Sequence, residues 1–215
     1  MTTQEQLLAH SGTSMPQVTD DMVQKAAELG EKYAGQVVAA LENRAATGSV
    51  DIGQPTVGPY VAFDLLATTP IQFGGPPPYQ PSRILAGGEP ALILAFLFVN
   101  STVDVPHGFA VPPTKQLSNR TYRVSMEQIN LTAVSNGPDA HIQDVFGAPA
   151  ATLTVLPFWF TAPQPGPDPI LFEANFTADI VGASQPYAAF ASTIVDFDSF
   201  KVLENVPVRY LVYAE

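Results

Sequence analysis

The chain contains no cysteine, so it has no disulfide framework, no thiolate metal site and no cysteine nucleophile. That absence favours a reducing compartment or a bacterial origin. Basic residues are also sparse: nine Lys and Arg stand against 20 Asp and Glu, for a net charge of −11. Such a chain repels phosphate backbones and anionic headgroups, which speaks against nucleic-acid binding and against docking on acidic lipid. Charged residues of both signs make up only 13% of the 215 residues, about half the usual share of roughly 25%. A surface with so few charges is expected to be covered in part by another subunit or a partner. Long apolar runs are missing as well. The longest, Ala91–Val99, is too short to cross a bilayer. The first residues, Met1 to Gln6, lack the basic start and apolar stretch of a signal peptide. The expectation is a soluble, cytoplasmic protein with no membrane insertion.

Proline is absent from Gln17 to Gln54, whereas twenty of the 21 prolines lie between Pro55 and Pro207. Proline blocks helix interiors and donates nothing to a ladder, so only the first of these stretches can form a long helix. Three segments follow: a weakly ordered lead over 1–18, an amphipathic helix over 19–48, and a β-sandwich domain over 55–215. Thr19 or Asp20 is the expected N-cap, with Asp20 and Asp21 at the positive end of the helix dipole. Met22, Ala26, Leu29, Tyr33, Val37 and Leu41 recur every three or four residues and form one apolar stripe. Gly48 is the expected stop. Gly30 and Gly35 each weaken the helix by roughly 1 kcal/mol relative to Ala, so it needs packing against something.

Beyond Gly53 the apolar period falls to two. Ile170 to Ile180 alternates strictly, with Glu173, Asn175, Thr177 and Asp179 on the outer face, as expected of a half-buried antiparallel strand. Val206, Val208, Tyr210 and Val212 repeat the pattern. Tyr122, Val124 and Met126 do so too, but the phase slips at Glu127–Gln128, which predicts a β-bulge there. Further strands are expected near Tyr60–Ala67, Ser82–Ala86, Thr152–Phe160 and Tyr187–Asp196. Ala91–Val99, apolar on both faces, should be central or covered by the helix or a neighbour. About seven or eight short strands without intervening helices indicate an antiparallel β-sandwich, jelly-roll or Ig-like, preceded by one long helix.

Signatures of chemistry are weak. There is no GxSxG elbow, and neither Gly74-Gly75 nor Gly87-Gly88 has phosphate-loop or dinucleotide spacing, so no nucleotide cofactor is expected. A divalent metal is conceivable if Asp104 and His107 meet Asp139, His141 and Asp144, because imidazole and carboxylate suit first-row ions. Asp and His are also ordinary turn residues in the Pro/Gly-rich loops expected at both places. Pro76-Pro77-Pro78-Tyr79 fits the short peptide that WW domains accept, but four residues in a proline-rich chain are a weak match and read better as a rigid inter-strand loop. Trp159, the single tryptophan, falls opposite Phe158 and Phe160 and beside Leu153 and Val155. It should lie under the helix or at an interface, with a sugar-stacking platform as the sharper alternative.

The leading expectation is a non-enzymatic binding or assembly module that forms homo-oligomers, with Tyr33, Val37, Leu41 and Trp159 as interface candidates. A small metal-dependent enzyme built on the His/Asp loops is the alternative from another class. A third is a carrier holding an apolar molecule between the sheets near Phe158, Phe160 and Phe172.

Overall fold

The computed structural model of the chain describes residues 17–47, 63–101, 111–182, 187–196, 201–203 and 206–214. Gly48 and nearly all of the expected N-terminal lead lie outside this set. Helix α1 (Asp20–Thr47) runs for 28 residues. Thr19 is its N-cap: its Oγ1 accepts the Met22 N–H at 3.3 Å, and its carbonyl accepts the Val23 N–H.

Thirteen strands among the described residues form two sheets. The first holds β1 (Phe63–Ala67), β2 (Ile71–Gln72), β4 (Pro90–Val99), β8 (Leu153–Thr161), β11 (Ser192–Asp196) and β12 (Lys201–Leu203). Its order is β12-β11-β1-β4-β8, and β2 continues β1 along the same side of β4. The second holds β3 (Ile84–Ala86), β5 (Thr121–Asn130), β6 (Ser135–Asn136), β7 (Ala140–Val145), β9 (Ile170–Ile180), β10 (Ala188–Phe190) and β13 (Val208–Tyr213). Its order is β3-β13-β9-β5-β7; β10 pairs β9, and β6 pairs β5. A short helix, α2 (Pro113–Gln116), precedes β5. Pairing is antiparallel except for β1 with β11 and β13 with β3.

The chain is thus mainly β, two sheets with one long helix before them. Phe158, Phe172, Phe176 and Tyr210 fill the space between the sheets. Helix α1 covers the outer face of the first sheet, setting Ala26, Tyr33 and Val37 against Leu66, Leu92, Leu94 and Phe96. This explains the doubly apolar β4: it is central, its odd-numbered residues face the second sheet, and Leu92, Leu94 and Phe96 face the helix. The stripe read from the sequence is therefore spent on the chain's own sheet.

Three local expectations are corrected. Tyr187–Asp196 is not one strand: it breaks at Ala191, whose N–H bonds the Phe176 carbonyl, and β10 and β11 join different sheets. Strand β5 carries no bulge. Its register with β9 is unbroken from Tyr122 to Asn130, so Gln128 points inward at 1% exposure and Ile129 points out. The extra residue lies on the partner side, where Gly137–Asp139 separates β6 from β7. Finally, Asp139–Asp144 is not simply a loop, because Ala140–Val145 forms strand β7.

Gly35 is exposed, and a Cβ there would meet nothing within 4 Å. Gly35→Ala should raise stability by about 1 kcal/mol, read as a higher urea midpoint at unchanged slope. Gly30→Ala should gain less, because its Cβ would sit 3.3 Å from Val155 Cγ1. An equal gain from both substitutions would contradict this placement of the helix on β8.

Candidate functional site

A cleft among the described residues lies where one margin of each sheet comes together. Strands β7 and β8 each have one ladder partner among the described residues, β5 and β4 respectively. The β6–β7 link and the end of β8 bound a cleft of about 540 Å³.

One wall follows from the extra residue opposite Gln128. The Gly137 N–H donates to the Gln128 carbonyl at 2.7 Å, and Asp139 Oδ1 accepts the Gln128 N–H at 2.9 Å. A Cβ at Gly137 would lie 2.9 Å from Gln128 Cβ and 3.1 Å from its carbonyl oxygen, so the backbones approach too closely for any other residue. These contacts fix Asn136, Pro138 and Asp139 along the rim.

The other wall is the end of β8 and the proline-rich segment after it, contributing Trp159, Phe160, Thr161, Pro163 and Gln164. Pro157 can occupy β8 because its missing N–H falls on the unpaired side of an edge strand. Leu156, Phe158 and Phe160 enter the inter-sheet core, whereas Leu153, Val155 and Trp159 belong to the cluster under the helix. The Trp159 ring lies 5.6 Å from Phe73, which lies 5.2 Å from Tyr79. Phe172 closes the floor, stacked on Tyr210 at 5.5 Å and 12°. Asn130, at the end of β5, uses its Oδ1 to accept the Ala133 N–H.

The cleft mixes amide, hydroxyl and carboxylate groups with aromatic and proline surface. Asp139 is the one charged residue among the described residues that line it.

Of the sequence-derived metal candidates, Asp139, His141 and Asp144 are among the described residues. Asp104 and His107 lie outside the described residues. His141 is exposed on one face of β7, while Asp144, three residues on, takes the opposite face beside Tyr122. Asp139 turns to the β5 backbone. Among the described residues, no three His, Asp or Glu side chains group as a metal would require.

Tyr122 itself is perturbed: burial, then the Asp144 charge, push its phenol up to about 12. A tyrosine raised in the folded chain contributes its stabilisation fully below its unfolded pKa of about 10. That contribution is lost as pH climbs through the folded value. Alkaline unfolding should therefore begin above about pH 10, and Tyr122→Phe should delay it. Phenolate absorbance in the native chain should show Tyr122 titrating late; ordinary titration would contradict its placement. Burial also raises Tyr210 and Tyr187.

Of the proposed interface residues, Tyr33 and Val37 lie on the docked face of α1, 4% and 0% exposed, and offer no surface while the helix is docked. The Leu41 side chain lies outside the described set. Trp159 is half-buried and reaches the cleft rim. Tyr79, the residue a WW groove would need, is engaged by Phe73 and by Lys25, whose Nζ lies 3.2 Å from the phenol oxygen and 5.0 Å from the ring centroid. Around Phe158, Phe160 and Phe172 the inter-sheet space is filled by Phe176 and Tyr210. No helix among the described residues is long and apolar enough to cross a membrane.

Sequence reasoning missed Asn130, Asn136, Thr161 and Gln164, which read as ordinary turn and strand-end residues. The one available signal was the shared density of turn formers at 136–139 and 163–169, and it gives no proximity. No family model and no curated protein matches the chain. Among solved structures, it is similar to the CARDB domain of a protein from Pyrococcus furiosus, crystallised in complex with di-metal ions; identity is 11%, the TM-score is 0.33, and the match covers 78% of this chain and 99% of that one.

Proposed function

We propose that the protein is a non-enzymatic binding module whose ligand occupies the cleft between the β6–β7 link and the end of β8. The observation that carries this reading is the character of the lining: several hydrogen-bonding side chains over an aromatic floor, with Asp139 as the lone carboxylate among the described residues. Hydrolysis by paired carboxylates needs a second acid, and nucleophilic catalysis needs a base beside the nucleophile. Among the described residues that line the cleft, neither accompanies Asp139. A concave site with an apolar body and a few placed polar groups suits recognition of a small molecule. Absence of cysteine is in keeping with a reducing compartment or a bacterial origin as its setting.

Trp159 is the only tryptophan in the chain and lines the cleft, so its fluorescence reports directly on occupancy. A fragment library titrated into the full-length protein should give saturable shifts of Trp159 emission, with amide resonances perturbed around Asn136 and Gln164. Shifts confined to other surfaces, or chemical turnover of the bound compound, would overturn the reading.

Self-association is a second reading, favoured by the outer face of the second sheet. Leu131 bonds Leu171 just past the end of β5, Leu171 pairs Leu211, and Leu211 pairs Ile84. These four aliphatics form one row across the sheet, with Ile84 at 59% exposure. Apolar rows of this kind mark protein contacts. Native mass spectrometry should then show a multiple of the 22.9 kDa chain that Ile84→Lys dissociates. A monomer throughout removes this reading.

A further inference from the structure

We infer that the cleft recognises a neutral oligosaccharide, an inference that rests on the binding reading above. The described rim side chains Asn130, Asn136, Gln164 and Thr161 both donate and accept hydrogen bonds. Sugar hydroxyls do the same, so paired donor and acceptor groups at a rim match vicinal hydroxyls better than they match a ligand of one polarity. Asp139 adds one charge-assisted acceptor, and the Gln128 N–H on its Oδ1 holds that carboxylate in place and leaves Oδ2 to a ligand. At the rim, half-buried Trp159 and Pro163 supply apolar surface for the C–H face of a pyranose ring, while Phe160, on the opposite face of β8 from Trp159, turns into the core. The volume of about 540 Å³ falls within the range of small-molecule sites, roughly 300–1,000 Å³.

Charge narrows the class further. No Lys, Arg or His is among the described residues that line the cleft, and the chain carries a net charge of −11. Phosphorylated, sulfated or sialylated ligands would meet a carboxylate with no cation to offset it. An extended peptide added to either sheet margin is disfavoured for another reason. Strand addition relies on backbone donors, and Pro138 and Pro163 at the cleft and Pro157 along β8 have no N–H to give. Recognition must come mainly from side chains, as a polyhydroxylated ligand allows.

The test is a printed array of neutral, sialylated and sulfated glycans probed with the full-length protein, followed by Trp159 fluorescence titration of the best neutral oligosaccharide. Binding should be confined to neutral glycans. Asn136→Ala should weaken it at least tenfold without moving the thermal midpoint, because the Asn136 side chain is exposed. Asp139→Asn, which keeps the acceptor for the Gln128 N–H, should weaken it as well and guards against a folding artefact. A silent array, preference for acidic glycans, or affinity unchanged in both variants would overturn the inference. If the array is silent while non-sugar fragments still shift Trp159 emission, the saccharide assignment fails and the binding module stands. If neither set shifts it, both fail.

Discussion

Val37→Asp should detach helix α1 from the first sheet and lower stability by about 4 kcal/mol or more, the scale of an uncompensated charge in an apolar site. Val37 is 0% exposed, packed with Leu92, Leu94 and Phe96, and none of these can pair with a carboxylate. The helix has little stability of its own to fall back on, since Gly30 and Gly35 interrupt it and isolated helices are marginal in water. Once undocked it should lose its helicity while the strands persist. Far-UV circular dichroism should then show helix loss at a denaturant concentration that leaves the sheets intact. The uncovered Leu66, Leu92, Leu94 and Phe96 should bind a hydrophobic dye. Ala39→Asp is the control: two residues on, exposed, and expected to change stability by less than about 0.5 kcal/mol. Equal effects from the two substitutions would mean that the stripe from Met22 to Val37 is not what holds the helix.

That prediction draws on features legible in the sequence. The spacing of Met22, Ala26, Leu29, Tyr33 and Val37 defines a helical face, and the double-faced apolarity of Ala91–Val99 requires a cover for β4. Together they leave two covers for the stripe and for β4, the chain's own sheet or a neighbouring subunit, and the structure takes the first, with Ala26, Tyr33 and Val37 on Leu92, Leu94 and Phe96. Strict alternation likewise makes Ile170–Ile180 a half-buried strand, and the structure keeps it so. What cannot be read is where a continuous pattern changes partner. Tyr187–Asp196 looks uniform, yet Ala191 is where the chain passes from the second sheet to the first, because pairing with Phe176 ends there. His141 and Asp144 interrupt the apolar pattern of β7 and make a strand resemble a loop. The cleft was illegible for a related reason: residues 130–140 and 159–164 become neighbours only through sheet pairing, and their Pro, Asn and Gly content reads as connection. Local pattern tells which face is buried, whereas a site depends on which segments meet.

Gln128 is the sharpest example, and it carries the second large effect. A polar residue after Tyr122, Val124 and Met126 invites a phase slip that would expose it. The continuous register with β9 instead forces the amide into the core. The position is tolerable only because the Tyr210 hydroxyl donates to Gln128 Oε1 while Nε2 contacts Met126 Sδ at 3.5 Å. Burying an amide without partners costs more than a typical hydrogen bond contributes, so each group depends on the other. Tyr210→Phe should therefore lose about 1–3 kcal/mol, although the ring stays stacked on Phe172. Gln128→Leu should cost a similar amount by leaving the hydroxyl unpaired. Combined, the two changes replace both partners by apolar groups of similar shape, and stability should recover towards the parent. Urea unfolding of the four proteins gives the coupling energy directly. If the double variant shows the simple sum of the single losses, the pair is not what reconciles Gln128 with the core, and the amide must be satisfied some other way.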